Sequence, residues 1–398
     1  MERAVSMIPN PPGPPALPGI PDPPGPGLPR SGMALPDADI DFRDPALAPI
    51  WGKVQAGERL DYEDGLRLFQ TDDLLALGRI ADYVKRRLWG DRAFFVVNRH
   101  INYSNLCVLA CRFCDFARKR GEAGAYEMTL EEVLGLIDEE MREVHIVGGH
   151  HPDWPFERYE EMVRAIGQRF PHVQVKGFTA AEIDYFARRF KMPVEEVLGR
   201  LKAAGLQAMP GGGAEVFSQR LHRLLFPGKA DAQRWLQVHR LAHRMGISSN
   251  ATLLYGHLES YEERVRHLLL LRDLQDETAG FLAFIPLAYQ PGETKLVSRQ
   301  ASAIEDLKVI AAARLLLDSF PHIKAYWVMI GEETAAIALN FGADDLDGTI
   351  GEERIAHAAR ATSPVGLARE RMLRLIRDAG QRPVERDALY HELHVYPA

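Results

Sequence analysis

FFVVNRHINYSNLCVLACRFCDF, residues 94–116, runs from an apolar stretch straight into a loop holding every cysteine of the chain, Cys107, Cys111 and Cys114. The first half reads as a buried β-strand. The second half, with Asn102, Ser104, Asn105 and Arg112 among its polar residues, reads as the loop that follows it. Seven further apolar or alternating runs follow: EVHIVGG (143–149), VQVKGF (173–178), LQAMPG (206–211), SSNATLLYG (248–256), GFLAFIPL (280–287), IKAYWVMIG (323–331) and GADDLDGT (342–349). The last is acidic enough to resemble a loop. Amphipathic helical patterns separate them, including TLEEVLGLIDEEM, PFERYEEMVRAIGQRF, VEEVLGRLKAAG and AIEDLKVIAAARLLLDSF. Eight strands alternating with helices predict an α/β chain with a parallel sheet, and their number favours a (β/α)8 TIM-type barrel. The cysteines then fall on the first βα loop, at the face where such barrels keep their active sites.

The flanking regions differ in texture. Residues 1–36 contain 12 prolines and 5 glycines, which removes backbone donors and predicts a disordered leader over 1–40. It lacks the continuous apolar core of a secretory signal. Residues 41–92 carry helical patterns, YEDGLRLFQ and TDDLLALGRIADYVKRRLWG, the latter with Thr71 as a candidate N-cap. They predict a helical extension packed on a barrel that occupies residues 93–398 with extra C-terminal helices. The net charge of −7 argues against binding nucleic acid through a basic surface. No apolar run reaches the roughly 18 residues of a membrane span. Three clustered cysteines are a poor disulfide framework and point to a reducing compartment, the cytoplasm.

Three uses of the cysteines compete. They could be small buried hydrophobes, though a polar loop is a poor place for that. They could bind zinc with His100 or His150 as the fourth ligand, although no second cysteine pair completes a zinc site. Or C-x3-C-x2-C could hold three corners of a [4Fe–4S] cluster, leaving one iron open to a small molecule. The glycines of IVGGHHPD (Gly148, Gly149) and MPGGGAEVF (before Glu215) end the second and fourth strands. Either could be a permissive turn; the second lacks the Lys-Ser/Thr of a phosphate-binding loop.

The cysteine spacing, with Phe113 between the last two, resembles the radical S-adenosylmethionine (SAM) superfamily. From about residue 45 to 396 the chain looks like the aminofutalosine (aminodeoxyfutalosine) synthases of the futalosine route to menaquinone. NRHINYSNLCVLACRFCDF, VHIVGGHHPD, KGFTAAEID, PGGGAEVF, NATLLYGHLES and FGADDLDGTIGEE carry that resemblance. It implies a [4Fe–4S] cluster on Cys107, Cys111 and Cys114, with SAM on the open iron as co-substrate. It implies that Gly148 and Gly149 grip the methionyl ammonium, that Phe113 contacts adenine, and that Glu215 meets ribose hydroxyls. The implied substrate is 3-[(1-carboxyvinyl)oxy]benzoate, and the implied electron donor is a flavodoxin or ferredoxin. The sister dehypoxanthine futalosine cyclases share much of this pattern, and a zinc-binding scaffold is the reading from another class. His150 departs from the family, which more often has an aliphatic residue there.

A substrate with two carboxylates calls for cationic or donor groups at the strand ends. Lys176, His150 and Tyr326 are the candidates of choice, because an inward lysine needs an anion nearby to stay charged. His151, Asn250 and Thr252 are alternatives at similar positions. His257 could transfer a proton or contact SAM, and Asp344 and Asp345 could close the barrel or meet ribose or water, since carboxylates would repel a dicarboxylate substrate.

Overall fold

The computed structural model describes residues 40–398, so the reading of residues 1–39 as a disordered leader lies outside the described residues. Eleven strands are formed among the described residues: β1 (Arg92–Val96), β2 (Asn98–Ile101), β3 (Glu143–Ile146), β4 (Gln174–Gly177), β5 (Leu206–Met209), β6 (Ser248–Tyr255), β7 (Phe281–Ala288), β8 (His322–Ile323), β9 (Asp345–Gly348), β10 (Arg382–Arg386) and β11 (Glu392–Val395). Strands β2 to β8 make one parallel sheet in sequence order, and β11-β10-β1-β9 make a second.

One chain segment joins the two sheets. β1 and β2 are successive halves of residues 92–101; the lower half pairs with β9 and β10, the upper half with β3. On the far side, Lys324 after β8 bridges to Asp345 of β9. The sheet thereby curls into a TIM-type barrel, with β9 as the eighth member despite its acidic sequence. Burying those acids is possible because each meets a cation: Asp345 pairs with Arg386 at 2.6 Å and Asp347 with Lys324 at 2.8 Å.

β6 is buried along its whole length, and β7 nearly so, as expected for strands covered on both faces. Helices flank them with legible starts. Thr129, Thr179 and Ser260 each form a reciprocal capping box with the glutamate three residues on. The helices Leu47–Ala56, Tyr62–Gln70 and Leu74–Trp89 precede the barrel. They lie on its outer helices, where Arg272 donates to the Leu60 carbonyl at 2.9 Å and Gly78 leaves room for the Phe341 ring.

Four expectations need correction. Residues 323–331 are not a long strand. β8 is only two residues, and Trp327–Ile330 is a helical turn. The Trp327 indole N–H donates to the Gly348 carbonyl at 3.0 Å, and that bond holds the turn in the barrel mouth. Thr71 is not the N-cap of the third helix. Asp73 accepts from Ala76 N–H, while the Thr71 hydroxyl is bound to Asp44 at 2.6 Å. The helix expected over 129–141 stops at Leu134. Finally, the C-terminal extension contains helix Arg369–Asp378 but also β10 and β11, which the sequence pattern did not disclose.

Candidate active site

At the C-terminal mouth of the barrel the cysteine loop leans over a cavity of about 280 Å3. All three thiols line it, each partly exposed, and none is in a disulfide. The loop has little regular structure, so separate anchors fix it. Cys107 N–H donates to Arg118 O, Val108 N–H to His150 O, and Arg112 N–H to Leu225 O, at 2.8–3.1 Å. Lys119 reaches back to the carbonyls of Cys107 and Leu109, both at 2.7 Å. The loop is thus held by its own returning segment, by the end of β3 and by the helix end at Leu225.

The sulfurs are prepared for a thiolate-bound group. His150 N–H points at the Cys107 sulfur at 3.4 Å, and the Phe116 and Ala117 N–H groups face that of Cys114. Such N–H···S contacts stabilise sulfur-bound negative charge and tune cluster potentials. Burial, helped by Glu215 and the other two cysteines and opposed by Lys229, pushes the Cys111 thiol up to about 11. A bound metal would replace that proton. Among the described residues, no set of three or more Cys, His, Asp or Glu side chains could hold a single metal ion. A cubane spreads its thiolates over three separate irons, so it places a different demand on the loop.

The diglycine is a packing requirement. A Cβ on Gly149 would lie 2.3 Å from the Leu106 carbonyl oxygen, and one on Gly148 would enter the Tyr103 ring. Glu182, buried, accepts from Gly148 N–H at 3.1 Å and from the Tyr103 hydroxyl at 3.0 Å. This carboxylate sets the strand-end backbone beside the cysteine loop.

On the opposite wall Glu215, at a left-handed φ of 48°, pairs with Lys229. Burial pulls the Lys229 pKa down, but Glu215 and the nearby Cys111 and Cys114 sulfurs hold it above the ordinary lysine value. Its ammonium also stands 5.4 Å from the Phe113 ring centre. Gly211 packs against the Ala251 backbone, and Thr252 donates to the Gly211 carbonyl at 2.7 Å.

The structure therefore brings Cys107, Cys111, Cys114, Phe113, Gly148, Gly149, His150, Glu215, Thr252 and Tyr326 to one cavity. Other candidates lie elsewhere. Lys176 is buried beneath the cavity with its ammonium 2.6 Å from Glu143. His151 is held outside it by Glu127 at 3.0 Å, and the His257 ring bonds to the Leu254 carbonyl at 3.1 Å. Asp344 is enclosed by Arg314 and His322, and Asn250 does not reach the lining. Sequence reasoning passed over His145, Lys229, Asp347 and Glu353, which do line the cavity, and weighed His100 only as a zinc ligand.

This constellation defines a class: a parallel barrel whose first loop presents three thiols to a cavity at its mouth. The radical SAM superfamily model matches residues 101–271, and the CofH/MqnC C-terminal region matches 278–397. An aminodeoxyfutalosine synthase from Thermus thermophilus is 47% identical over 89% of this chain and 98% of its own. One from Streptomyces coelicolor is 43% identical over 86% and 93%. A cyclic dehypoxanthine futalosine synthase from Streptomyces coelicolor is 38% identical over 88% and 90%. Among solved structures, methylornithine synthase superposes with a TM-score of 0.69 over 84% of this chain and 97% of its own, at 20% identity; this likeness concerns the fold alone. The chain belongs to the radical SAM superfamily and, within it, to the aminodeoxyfutalosine synthase family. It is a radical SAM enzyme, of a superfamily that uses a [4Fe–4S] cluster and SAM. No helix of the described residues is long and apolar enough to cross a membrane.

Proposed function

We propose that this enzyme joins the adenosyl part of SAM to 3-[(1-carboxyvinyl)oxy]benzoate, giving 6-amino-6-deoxyfutalosine and methionine in the futalosine route to menaquinone. The 5′-carbon adds to the vinyl ether, the aryl group migrates from oxygen to carbon, and the former pyruvyl carboxylate leaves as carbon dioxide or bicarbonate with release of one electron, which balances the one that starts the reaction. When bound, the cluster and SAM supply that carbon as a 5′-deoxyadenosyl radical, started by an electron from a donor such as flavodoxin or ferredoxin. The observation that carries this reading is the triad of thiols on a braced loop over a cavity at the barrel mouth, in a chain 47% identical to a named synthase.

The chain's own residues bind, orient and exclude water. Cys107, Cys111 and Cys114 would ligate three irons, and the backbone at Gly148 and Gly149 would receive the methionyl ammonium. Glu215 and Phe113 would take the ribose and adenine side, with Lys229 fixing the Glu215 carboxylate in place. His150 and Tyr326 would face the substrate. Leu254, Ile285, Leu287 and Met329 line the remaining wall and keep it apolar. A radical needs a near-attack partner, shielding from bulk solvent and no nearer competing hydrogen-atom donor. Lys176 cannot serve as a free cation here, since Glu143 already neutralises it.

The test is anaerobic incubation of reconstituted, reduced enzyme with SAM and 3-[(1-carboxyvinyl)oxy]benzoate, read by mass spectrometry. A substrate-dependent product at the mass of aminodeoxyfutalosine, with methionine released, is expected. Free 5′-deoxyadenosine without adduct would overturn the substrate assignment and favour a sister activity that begins by hydrogen abstraction.

A further inference from the structure

Three histidines line the cavity, and one property separates them from the other buried histidines. His151, His239, His243, His257, His267 and His322 each have a ring nitrogen hydrogen-bonded to a protein group. Among the described residues, no ring nitrogen of His100, His145 or His150 has such a partner; His100 Nε2 and His150 Nδ1 are fully buried without one. An unpaired buried ring nitrogen is costly, and His145 adds a partly exposed ring with no protein partner, so these rings in one cavity point to a ligand that pairs them.

His150 belongs to the cysteine-loop end, where its backbone touches Cys107 and Val108. His100 and His145 sit deeper, side by side in β2 and β3, with ring centres 4.4 Å apart and planes inclined by 29°. Tyr326 lies parallel beyond His100, with centres 6.3 Å apart. These rings form the floor. The charged groups around the floor are all committed: Glu143 to Lys176 at 2.6 Å, Asp347 to Lys324 at 2.8 Å, and Glu353 to His357 at 3.0 Å. The imidazoles are the uncommitted donors there.

The substrate's shape selects its partner for them. Its vinyl carbon must approach the 5′-carbon of SAM at the cysteine-loop end. A rigid meta-substituted benzoate then carries its ring carboxylate at the far end, onto the floor. Resting on the substrate reading above, we propose that His100 and His145 form the subsite for the ring carboxylate, donating ring N–H groups to its oxygens beside the Tyr326 ring. Neutral imidazole suits this: each ring carries one N–H to donate, and the nearby carboxylates already have partners of their own. These are positioning residues, which set where the vinyl group stands.

The test is anaerobic calorimetry on the SAM-loaded, unreduced holoenzyme, which binds without turning over. The titrants are 3-[(1-carboxyvinyl)oxy]benzoate and its ring methyl ester. The unaltered enzyme is expected to prefer the acid by on the order of 10- to 100-fold, the scale of charge-assisted hydrogen bonds. His100→Phe and His145→Phe should each erase most of that preference while SAM affinity and the cluster absorbance hold. His100→Gln, which retains an N–H donor, should recover part of it. Equal binding of acid and ester by the unaltered enzyme would overturn the subsite without needing any variant. So would a preference that survives in the phenylalanine variants. No binding of the acid at all by unaltered holoenzyme would instead bring down the substrate reading, and the subsite with it.

Discussion

The two ends of the barrel interior treat polar groups in opposite ways. Below the cavity, with Asp347 at the boundary between the two, lies a lattice of buried charge: Glu143 with Lys176, Lys324 with Asp347, Arg386 with Asp345, and Arg314 with Asp344. Each charge has a partner in the protein. In the cavity above, the imidazoles of His100, His145 and His150 have no ring partner in the protein, and the thiols have at most backbone N–H contacts. The lower region is closed on itself and resists change, because removing one ion strands the other. The upper region waits for groups the protein does not supply. Burial is high in both, so burial alone does not separate scaffold from site; completeness of pairing does.

The largest effect belongs to the upper region. Alanine at Cys107, Cys111 or Cys114 is expected to abolish iron content and turnover together while leaving the circular dichroism melting curve of the metal-free protein nearly unmoved. Retained turnover in any of the three would break the cluster assignment.

Next comes the lower lattice. Lys176→Met should cost about 3–5 kcal/mol of stability, the penalty for stranding a buried partner charge, read by urea denaturation. The double variant Lys176→Met with Glu143→Leu should recover much of it. Were Lys176 instead a substrate ligand, the single variant would raise KM and leave stability alone.

Acid sharpens the same contrast. Burial pushes the Glu143 carboxyl up, but Lys176, Lys324 and Arg386 more than offset it and bring it to about 2 from a usual 4.5. Its contribution is therefore fully present above pH 4.5 and is lost as pH falls toward 2. Glu143→Gln should flatten the decline of stability across that window. An unchanged slope would place the acid sensitivity elsewhere.

Smaller again is Gly149→Ala. The new Cβ meets the Leu106 carbonyl, so the loop must shift; about 1–3 kcal/mol of strain is expected, seen as weaker SAM binding with iron retained. Smallest is Arg240→Ala on the surface. Its pair with Glu277 is worth less than about 1 kcal/mol, and neither melting nor turnover should respond.

Particular residues show why reading the sequence went only so far. The cysteine loop was legible because its ligands are local: three thiols within eight positions declare themselves without any fold. The strand ends at Gly148 and at Gly211–Gly213 were legible for the same reason. Lys176 was singled out on the argument that an inward lysine requires an anion, and the anion beside it is Glu143, on the neighbouring strand. His145 stayed hidden because the alternation of EVHI puts Glu143 and His145 on one face of β3 without saying that this polar face is the barrel interior. Lys229 was invisible because its partner Glu215 lies across a loop and a short helix. The 323–331 stretch misled because an apolar run does not distinguish a strand from a buried helical turn.

The sequence by itself determined the periodicities that make eight strands and their helices, the thiol triad, and the glycines where backbones approach closely. These are properties of residues near one another along the chain, governed by local sterics and side-chain chemistry. Only the tertiary structure decided which polar groups meet. Parallel register sets His100 beside His145 and Lys176 beside the β3 residues, and barrel closure brings Asp345 and Asp347 from β9 to Arg386 and Lys324. A buried charge or imidazole is structural or functional according to whether folding brings it a partner, and partners separated by tens or hundreds of residues leave no mark on either local sequence.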